Sequence, residues 1–300
     1  MIMNGEYNIN GHTYNFINAV KENEQERKSF NLLAHNTFGI DFEQWYQNGY
    51  WGNDYIPYVL LDGDVVVSNV SVNIINTRWK DQAKLYVQLG TVMTDKEHQG
   101  KGLNRWLMEK VLADWKDKSD TVYLFANDSV LDFYPKFGFE KASEYQCQKT
   151  INKKDGTVKK LDMSLAYDRR LLLDTYKFSN PFSALPVENN DGLLMFYCTK
   201  FMQENVYYIE EFEAIVVAEY DDEKLVCYDI FCQNKYTIDD ILCTMAEENT
   251  ETVIFGFTPK QMKNCKIVKL QKEDTTLFVL KGKENLFVEN QLMFPLLSHA

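Results

Sequence analysis

Apolar residues recur along this chain in two rhythms, one of period two and one of period three to four, and the two alternate. His12 to Val20 reads as a short strand. Glu22 to Thr37 has helical spacing, with Phe30, Leu33 and Ala34 on one face. Phe42 to Tyr58 is crowded with aromatics. Tyr58–Leu61, the turn Asp62-Gly63-Asp64, and Val65–Ile75 form a hairpin pattern. Leu85 to Val92 is the next strand. Leu103 to Trp115 is a helix, striped by Leu103, Trp106, Leu107, Leu112 and Trp115. A strand over Thr121–Phe125, a helix over Ser129–Lys136 and a strand over Phe139–Lys149 follow. Further on, Leu193–Thr199, Ala214–Ala218 and Lys224–Phe231 read as strands. Ile238–Met245 reads as a helix with Asp239 and Asp240 near its positive end. Val253–Phe257 and Thr276–Leu280 read as strands. The order strand, helix, strand over 224–257 echoes 85–125, a weak internal duplication that lacks a glycine turn.

The chain has 300 residues, which suggests two domains. All five tryptophans (Trp45, Trp51, Trp79, Trp106, Trp115) fall in the first 115 residues. That shift places a first domain at 1–150, a connector at 151–193 with a helix near Ala166–Tyr176, and a second domain at 194–300. The net charge of −12 is spread over both halves, −5 in residues 1–150 and −7 beyond. Binding to nucleic acid rests on Lys and Arg neutralising phosphates, so none is expected. No apolar run approaches a membrane span, and the first ten residues lack the pattern of a signal peptide. The six cysteines form no C-x-x-C pair, and the four histidines never fall at i, i+4. No metal site is expected, and the thiols read as small buried hydrophobes of a cytoplasmic protein.

The chemically informative stretch runs from Leu85 to Leu112. A strand enters a polar turn, and Gln99-Gly100-Lys101-Gly102-Leu103-Asn104 opens the amphipathic helix. The first N–H groups of a helix lack intrahelical partners and sit at its positive end. Glycines there let a ligand reach the backbone, as a pyrophosphate would. Lys101 and Arg105 add positive charge. The Walker and Rossmann glycine patterns are both absent. On spacing alone, a glycine turn that merely starts a helix remains the alternative.

Gln99-x-x-Gly102-x-Asn104 resembles the acetyl-CoA loop of the GNAT superfamily, Gln/Arg-x-x-Gly-x-Gly/Ala. A second stretch, Asn127 and then Phe133-Tyr134-Pro135-Lys136-Phe137-Gly138-Phe139, is similar to the family's Asn…Phe-Tyr-x-Lys-x-Gly-Phe segment. The departure is Asn104, where Gly or Ala is usual. The resemblance implies an α/β architecture, the GNAT fold, with a mixed, mostly antiparallel sheet flanked by helices. It also implies a second, degenerate GNAT-like α/β domain. The activity implied is N-acetyl transfer from acetyl-CoA to a primary amine by direct attack in a ternary complex, without an acyl-enzyme. The amides of Gln99, Gly100, Lys101, Gly102, Leu103 and Asn104 would hold the pyrophosphate. Val92, Met93 and Thr94 would bond the pantetheine arm and offer an N–H to the thioester oxygen. Asn127 would touch the cofactor, and Tyr134 would protonate the departing thiolate; a half-buried aromatic is the alternative for Tyr134.

An amine arrives protonated at neutral pH and must lose a proton. Gln88 stands where some members carry a glutamate base. Asp54, Glu97 and His98 are candidates, although each reads more readily as a solvated surface group. Some members with an added GNAT-like domain bring their chain end into the site as the base, which by resemblance points to Ala300. The apolar tail Met293–Ala300 would then dock on the first domain, or else pack only on its own. Trp45, Trp51 and Asp54, with Asp41 nearby, could hold an apolar or cationic acceptor, a small molecule or a peptide; a local hydrophobic core is the alternative. Two other readings stay open, a Fem-like aminoacyl transferase and a non-catalytic acyl-CoA sensor.

Overall fold

Alternation along the third strand already sorts the first half into two faces. In the computed structural model, which describes residues 4–179, 181–233 and 236–299, the chain begins with the hairpin β1 (Asn4–Ile9) and β2 (His12–Ile17). Helices α1 (Glu24–Phe38) and α2 (Glu43–Gln47) follow. Asn23 caps α1, its side chain accepting from the Gln25 N–H at 2.9 Å. Then come β3 (Tyr55–Asp62), β4 (Val65–Trp79) and β5 (Gln82–Thr94). On β3, Tyr58 and Leu60 face α3 (Leu103–Trp115), while Val59 and Leu61 face α1. The two helices therefore cover opposite faces of one sheet. Next are β6 (Thr121–Ala126), β7 (Phe139–Lys141) and β8 (Tyr145–Thr150).

The second half contains β9 (Val158–Lys160), α4 (Ala166–Lys177), α5 (Asp191–Lys200), β10 (Val206–Ile209), β11 (Ala214–Asp221) and β12 (Lys224–Phe231). It continues with α6 (Ile238–Met245), β13 (Thr252–Phe255), β14 (Lys266–Lys269) and β15 (Thr276–Leu280). An eight-stranded sheet has the order β1-β2-β3-β4-β5-β6-β15-β7, and a seven-stranded sheet the order β14-β8-β13-β12-β11-β10-β9. Each has one parallel pair, β5 with β6 and β12 with β13. In both cases a helix bridges that pair, α3 in the first and α6 in the second.

The structure departs from the sequence expectations in four places. Leu193–Thr199 is helix α5, not a strand. Asn190 caps it, accepting from the Leu193 N–H at 2.9 Å. Apolar contacts on both sides (Phe196 toward the first half, Met195 and Cys198 toward the second) erase the helical period that patterning relies on. Ser129–Lys136 is not one helix but two short 3₁₀ turns, Asp128–Val130 and Tyr134–Phe137. Pro135 supplies no N–H to continue a helix. Phe139–Lys149 is broken at Ala142-Ser143-Glu144, and the chain changes sheets there, with β7 in the first and β8 in the second. Finally, β15 returns from the far end of the chain to lie between β6 and β7. Strand pairing thus crosses the expected boundary at residue 150 in both directions.

The tail runs between the sheets. Phe294 stacks on Tyr123 of β6, with centroids 4.0 Å apart, while the Leu296 N–H bonds the Gly256 carbonyl at 2.7 Å. No helix among the described residues is long and apolar enough to cross a membrane.

Candidate active site

Strands β5 and β6 pair only from Tyr86–Thr121 to Leu89–Leu124. Beyond that point both continue without touching, and a cleft of about 990 Å³ opens between them. Residues Leu89–Thr94 form one wall; Phe125, Asn127 and Tyr134 form the other. A bulge causes the divergence. The β4–β5 register shifts between Asn69 and Ser71, and Thr91 takes φ +47°, a conformation side-chain-bearing residues rarely adopt. Buried hydrogen bonds hold it there. Asn69 Nδ2 donates to the Thr91 carbonyl at 2.7 Å and to Ser71 Oγ at 2.9 Å, and Ser71 Oγ donates to the Tyr55 hydroxyl at 2.9 Å. The Tyr55 hydroxyl meets Thr91 Oγ1 at 3.1 Å.

The glycine turn closes one end of the cleft. Gly100 and Gly102 have φ of +74° and +82°. A Cβ on Gly102 would sit 2.9 Å from Asn10 Nδ2, which itself donates to the Lys101 carbonyl at 2.9 Å. The hairpin turn of β1 and β2 therefore braces the loop from behind. The helical ladder of α3 starts with the Trp106 N–H on the Gly102 carbonyl at 3.0 Å. The amides of Leu103, Asn104 and Arg105 are left open at the positive end of the helix, and these three residues line the cleft. No acidic residue lies in that first turn to offset the charge. An anion thus fits this end of the cleft on the geometry of the backbone alone.

Asn104 departs from the family pattern without obstructing the cradle. Its Oδ1 accepts from Ser68 Oγ at 2.7 Å, so the side chain is spent on the sheet. Lys101 is exposed and outside the cleft lining, and Arg105 pairs with Glu109 at 2.9 Å. Lys136 lines the cleft as Arg105 does, on the opposite wall, and its place in the sequence motif carries no role of its own. Of the candidate bases, His98 bridges Asp95 at 3.0 Å and Asp62 at 3.2 Å beside the loop. His12 also pairs with Asp62, and these partners hold the Asp62 carboxyl below the usual range. Glu97 is exposed on the same turn, outside the cleft lining. Met93 turns its side chain into the core beside α1, leaving only its backbone to the cleft.

Tyr134 is buried among Phe133, Phe139 and Phe278. Burial pushes its phenol up to about 12, and its hydroxyl makes no hydrogen bond among the described residues. It remains protonated at neutral pH and is free to donate.

On the far side of Thr91 a narrow pocket of about 70 Å³ continues the cleft. Trp45, Asp54, Tyr55, Phe196 and His299 are among its walls. Trp45 Nε1 donates to the Gly192 carbonyl at 2.8 Å, which ties α2 to α5. Trp51 lies deeper, within the aromatic core, where its Nε1 donates to the Tyr55 carbonyl at 3.2 Å; it borders neither cavity. Asp41 Oδ1 accepts from the Glu43 N–H at 2.8 Å just ahead of α2. Gly52, Asp54 and Gly192 are shared with a third cavity of about 710 Å³ between the two sheets, bordered also by Glu188, Asp191 and Asp229. Burial raises the Asp54 and Asp229 carboxyls, the latter to about 7. Ala300 lies outside the described residues.

Residues 19–142 match the family model of the acetyltransferase (GNAT) domain. None of the curated proteins matches this chain in sequence. Among solved structures, the chain is similar to a probable N-acyltransferase of Enterococcus faecalis V583, itself described as a conserved protein of unknown function. That likeness has a TM-score of 0.58 at 15% identity, over 85% of this chain and 70% of that one. A GCN5-related N-acetyltransferase from Kribbella flavida gives 0.55 at 14%, over 88% and 71%. Eis1 from Mycobacterium abscessus gives 0.55 at 11%, over 87% and 72%. At these identities the likeness is one of fold, and it spans both sheets.

Proposed function

Because residues 19–142 match the model of the GNAT acetyltransferase domain, we propose that the protein transfers an acetyl group from acetyl-CoA to a primary amine by direct attack in a ternary complex. The observation that carries this reading is the open first turn of α3 at the end of a cleft split between β5 and β6. Bare amides from Gln99 to Asn104 suit a pyrophosphate, with Lys136 adding charge at the cleft wall. Edge amides of Val92, Met93 and Thr94 suit the pantetheine arm, and one of them suits the thioester oxygen, where negative charge develops. Asn127 stands on the opposite wall. Acetyl-CoA supplies the thioester; the chain supplies position and protons.

Tyr134 is the general acid in this reading. A phenol held up at about 12 is protonated at neutral pH, so its hydrogen is available to the departing thiolate and no phenolate is present to act as a base. The acceptor approaches from the opposite side, through the cavity lined by Asp54, Glu188, Asp191 and Asp229 and past Trp45 into the narrow pocket. Arg78 and Lys177 line the same cavity and Arg78 pairs with Glu188 at 3.2 Å, which leaves Asp54 and Asp191 to favour a cationic amine, on a small molecule or a peptide.

Calorimetry with CoA and a turnover assay over a panel of alkyl amines, polyamines and peptide amino termini test the proposal. Binding together with turnover supports it. Binding without turnover on any amine makes the protein an acyl-CoA sensor, and absence of CoA binding overturns the reading. Tyr134→Phe is expected to lower kcat by roughly 100-fold or more while CoA affinity stays within a factor of about three; equal loss of binding would mean that Tyr134 serves packing.

A further inference from the structure

The proton of the incoming amine has no assigned destination. Gln88 cannot take it, His98 is engaged by Asp95 and Asp62 beside the pyrophosphate loop, and Glu97 lies outside the cleft. Three titratable side chains border the narrow pocket: Asp54, Tyr55, whose hydroxyl is engaged by Ser71 and Thr91, and His299, carried in by the tail.

Three observations single it out. Its ring lies flat on Phe125 of β6, with centroids 3.8 Å apart and planes at 25°, at the point where β6 borders the cleft. Its Nε2 is buried with no hydrogen-bond partner among the described residues. Such an orphaned polar atom is costly unless a ligand meets it. Its backbone is fixed as well, because the Tyr197 hydroxyl on α5 donates to the His299 carbonyl. A histidine needed only for packing would be replaced by phenylalanine at no loss of stacking.

We propose that His299 is a catalytic residue, the group that receives the proton of the attacking amine through Nε2. This deepens the reading of the site as an N-acetyltransferase and rests on it. The amine reaches the narrow pocket neutral, its ammonium proton already lost to solvent, and its nitrogen lone pair attacks the thioester carbonyl carbon from that side. The N–C bond forms and the C–S bond breaks. The amine proton passes to His299 Nε2, and the Tyr134 hydroxyl hydrogen goes to the departing sulfur. The imidazolium and phenolate left behind have equal and opposite charge and return to neutrality by proton exchange through solvent when products leave. With hydrogen on Nδ1, the resting ring presents a lone pair at Nε2. Burial holds the ring neutral, pushing its pKa down to about 3, so the lone pair is free whenever an amine arrives. The nitrogen that has begun to bond carbon is more acidic than a free ammonium, which lets so weak a base accept from it. Asp54 borders the same pocket and offers the imidazolium a counter-charge.

His299→Phe is the decisive variant, since it keeps the stack on Phe125, leaves Ala300 in place and removes only the ring nitrogens. With the amine that the wild type acetylates best, kcat is expected to fall about 100-fold or more, with CoA affinity and Tm close to the wild type. His299→Ala in the full chain is expected to regain part of its kcat when imidazole is added. Full kcat in His299→Phe would overturn the assignment and leave the acetyltransferase reading standing, as would a loss confined to KM or to Tm. A wild type inert on every amine would overturn both.

Discussion

Glu144 shows how far a residue can depart from its look in the sequence. The sequence pattern places it inside a strand over Phe139–Lys149 and marks it with no role. In the fold it is 6% exposed, and its Oε1 accepts from the Phe294 N–H at 2.8 Å, which pins the tail. Burial pushes its carboxyl up to about 8, with Lys272 opposing in part. A carboxyl whose folded pKa lies above its unfolded value binds protons more tightly when folded. Its contribution to stability is therefore complete below about 4.5 and is lost as pH rises through about 8. Glu144→Gln keeps a carbonyl for Phe294 and removes the ionisation. Thermal melts are expected to show the variant gaining on the wild type from pH 5 to 9, and matching it or falling behind at pH 4. Parallel curves across that range would contradict the assignment. Asp229 shifts in the same direction but is common to both proteins, so the difference between the two curves isolates Glu144. The opposite case is Asn104, whose oddity was visible in the sequence. Its reason, the bond to Ser68 Oγ across 36 positions, was not.

At the scale of elements, legibility followed from whether a segment had one wet face. Helix α3 was readable to its ends because a glycine turn starts it and an apolar stripe lies against β3, β4 and β5. Helix α5 was misread because both of its sides are buried and no period survives. A second signal was available there, the Asn190-Asp191-Gly192 start, in which Asn190 caps the helix. Gly192 matters for more than the turn. A Cβ on it would run into the Tyr50 carbonyl and approach Trp45 Cζ2 to 3.5 Å. The first turn of α5 is thus held against the segment that walls the narrow pocket. Gly192→Ala sets two effects against each other. Alanine is the better helix former by up to about 1 kcal/mol, whereas overpacking costs about 1–3 kcal/mol. The contact is with backbone that is itself fixed by the Tyr50 N–H on the Trp45 carbonyl at 3.0 Å, so the second effect is expected to prevail. Tm should fall, and KM for the amine should rise with CoA affinity unchanged. A raised Tm would show that α5 can move aside freely.

Across the whole molecule, the two halves share a plan but not a site. Helix α6 links a parallel pair as α3 does, yet its N-terminus is filled by its own chain: Thr237 Oγ1 accepts from the Asp240 N–H at 3.1 Å, and Asp239 and Asp240 stand in the first turn. The anion cradle of α3 has no counterpart there, which the absence of a glycine turn had already signalled. What the sequence could not disclose was the exchange of strands, since a strand's own pattern does not name its partner. Strand β15 supplies the hydrogen bonds between β6 and β7, and β8 lies between β13 and β14. Ile75, Tyr86 and Tyr123 of the first sheet are covered by Leu193, Leu292 and Phe294 from beyond residue 190. Removing residues after 150 would therefore bare that apolar face, open β6 and β7 as unpaired edges and leave β8 without either neighbour. A fragment of residues 1–150 is expected to aggregate or to lack a cooperative melt, although it contains every residue of the glycine turn. The full chain is expected to unfold in one calorimetric transition, with calorimetric and van't Hoff enthalpies equal. Two separate transitions, or a fragment that melts cooperatively and binds CoA, would mean that the exchanged strands add little and that the first half stands alone.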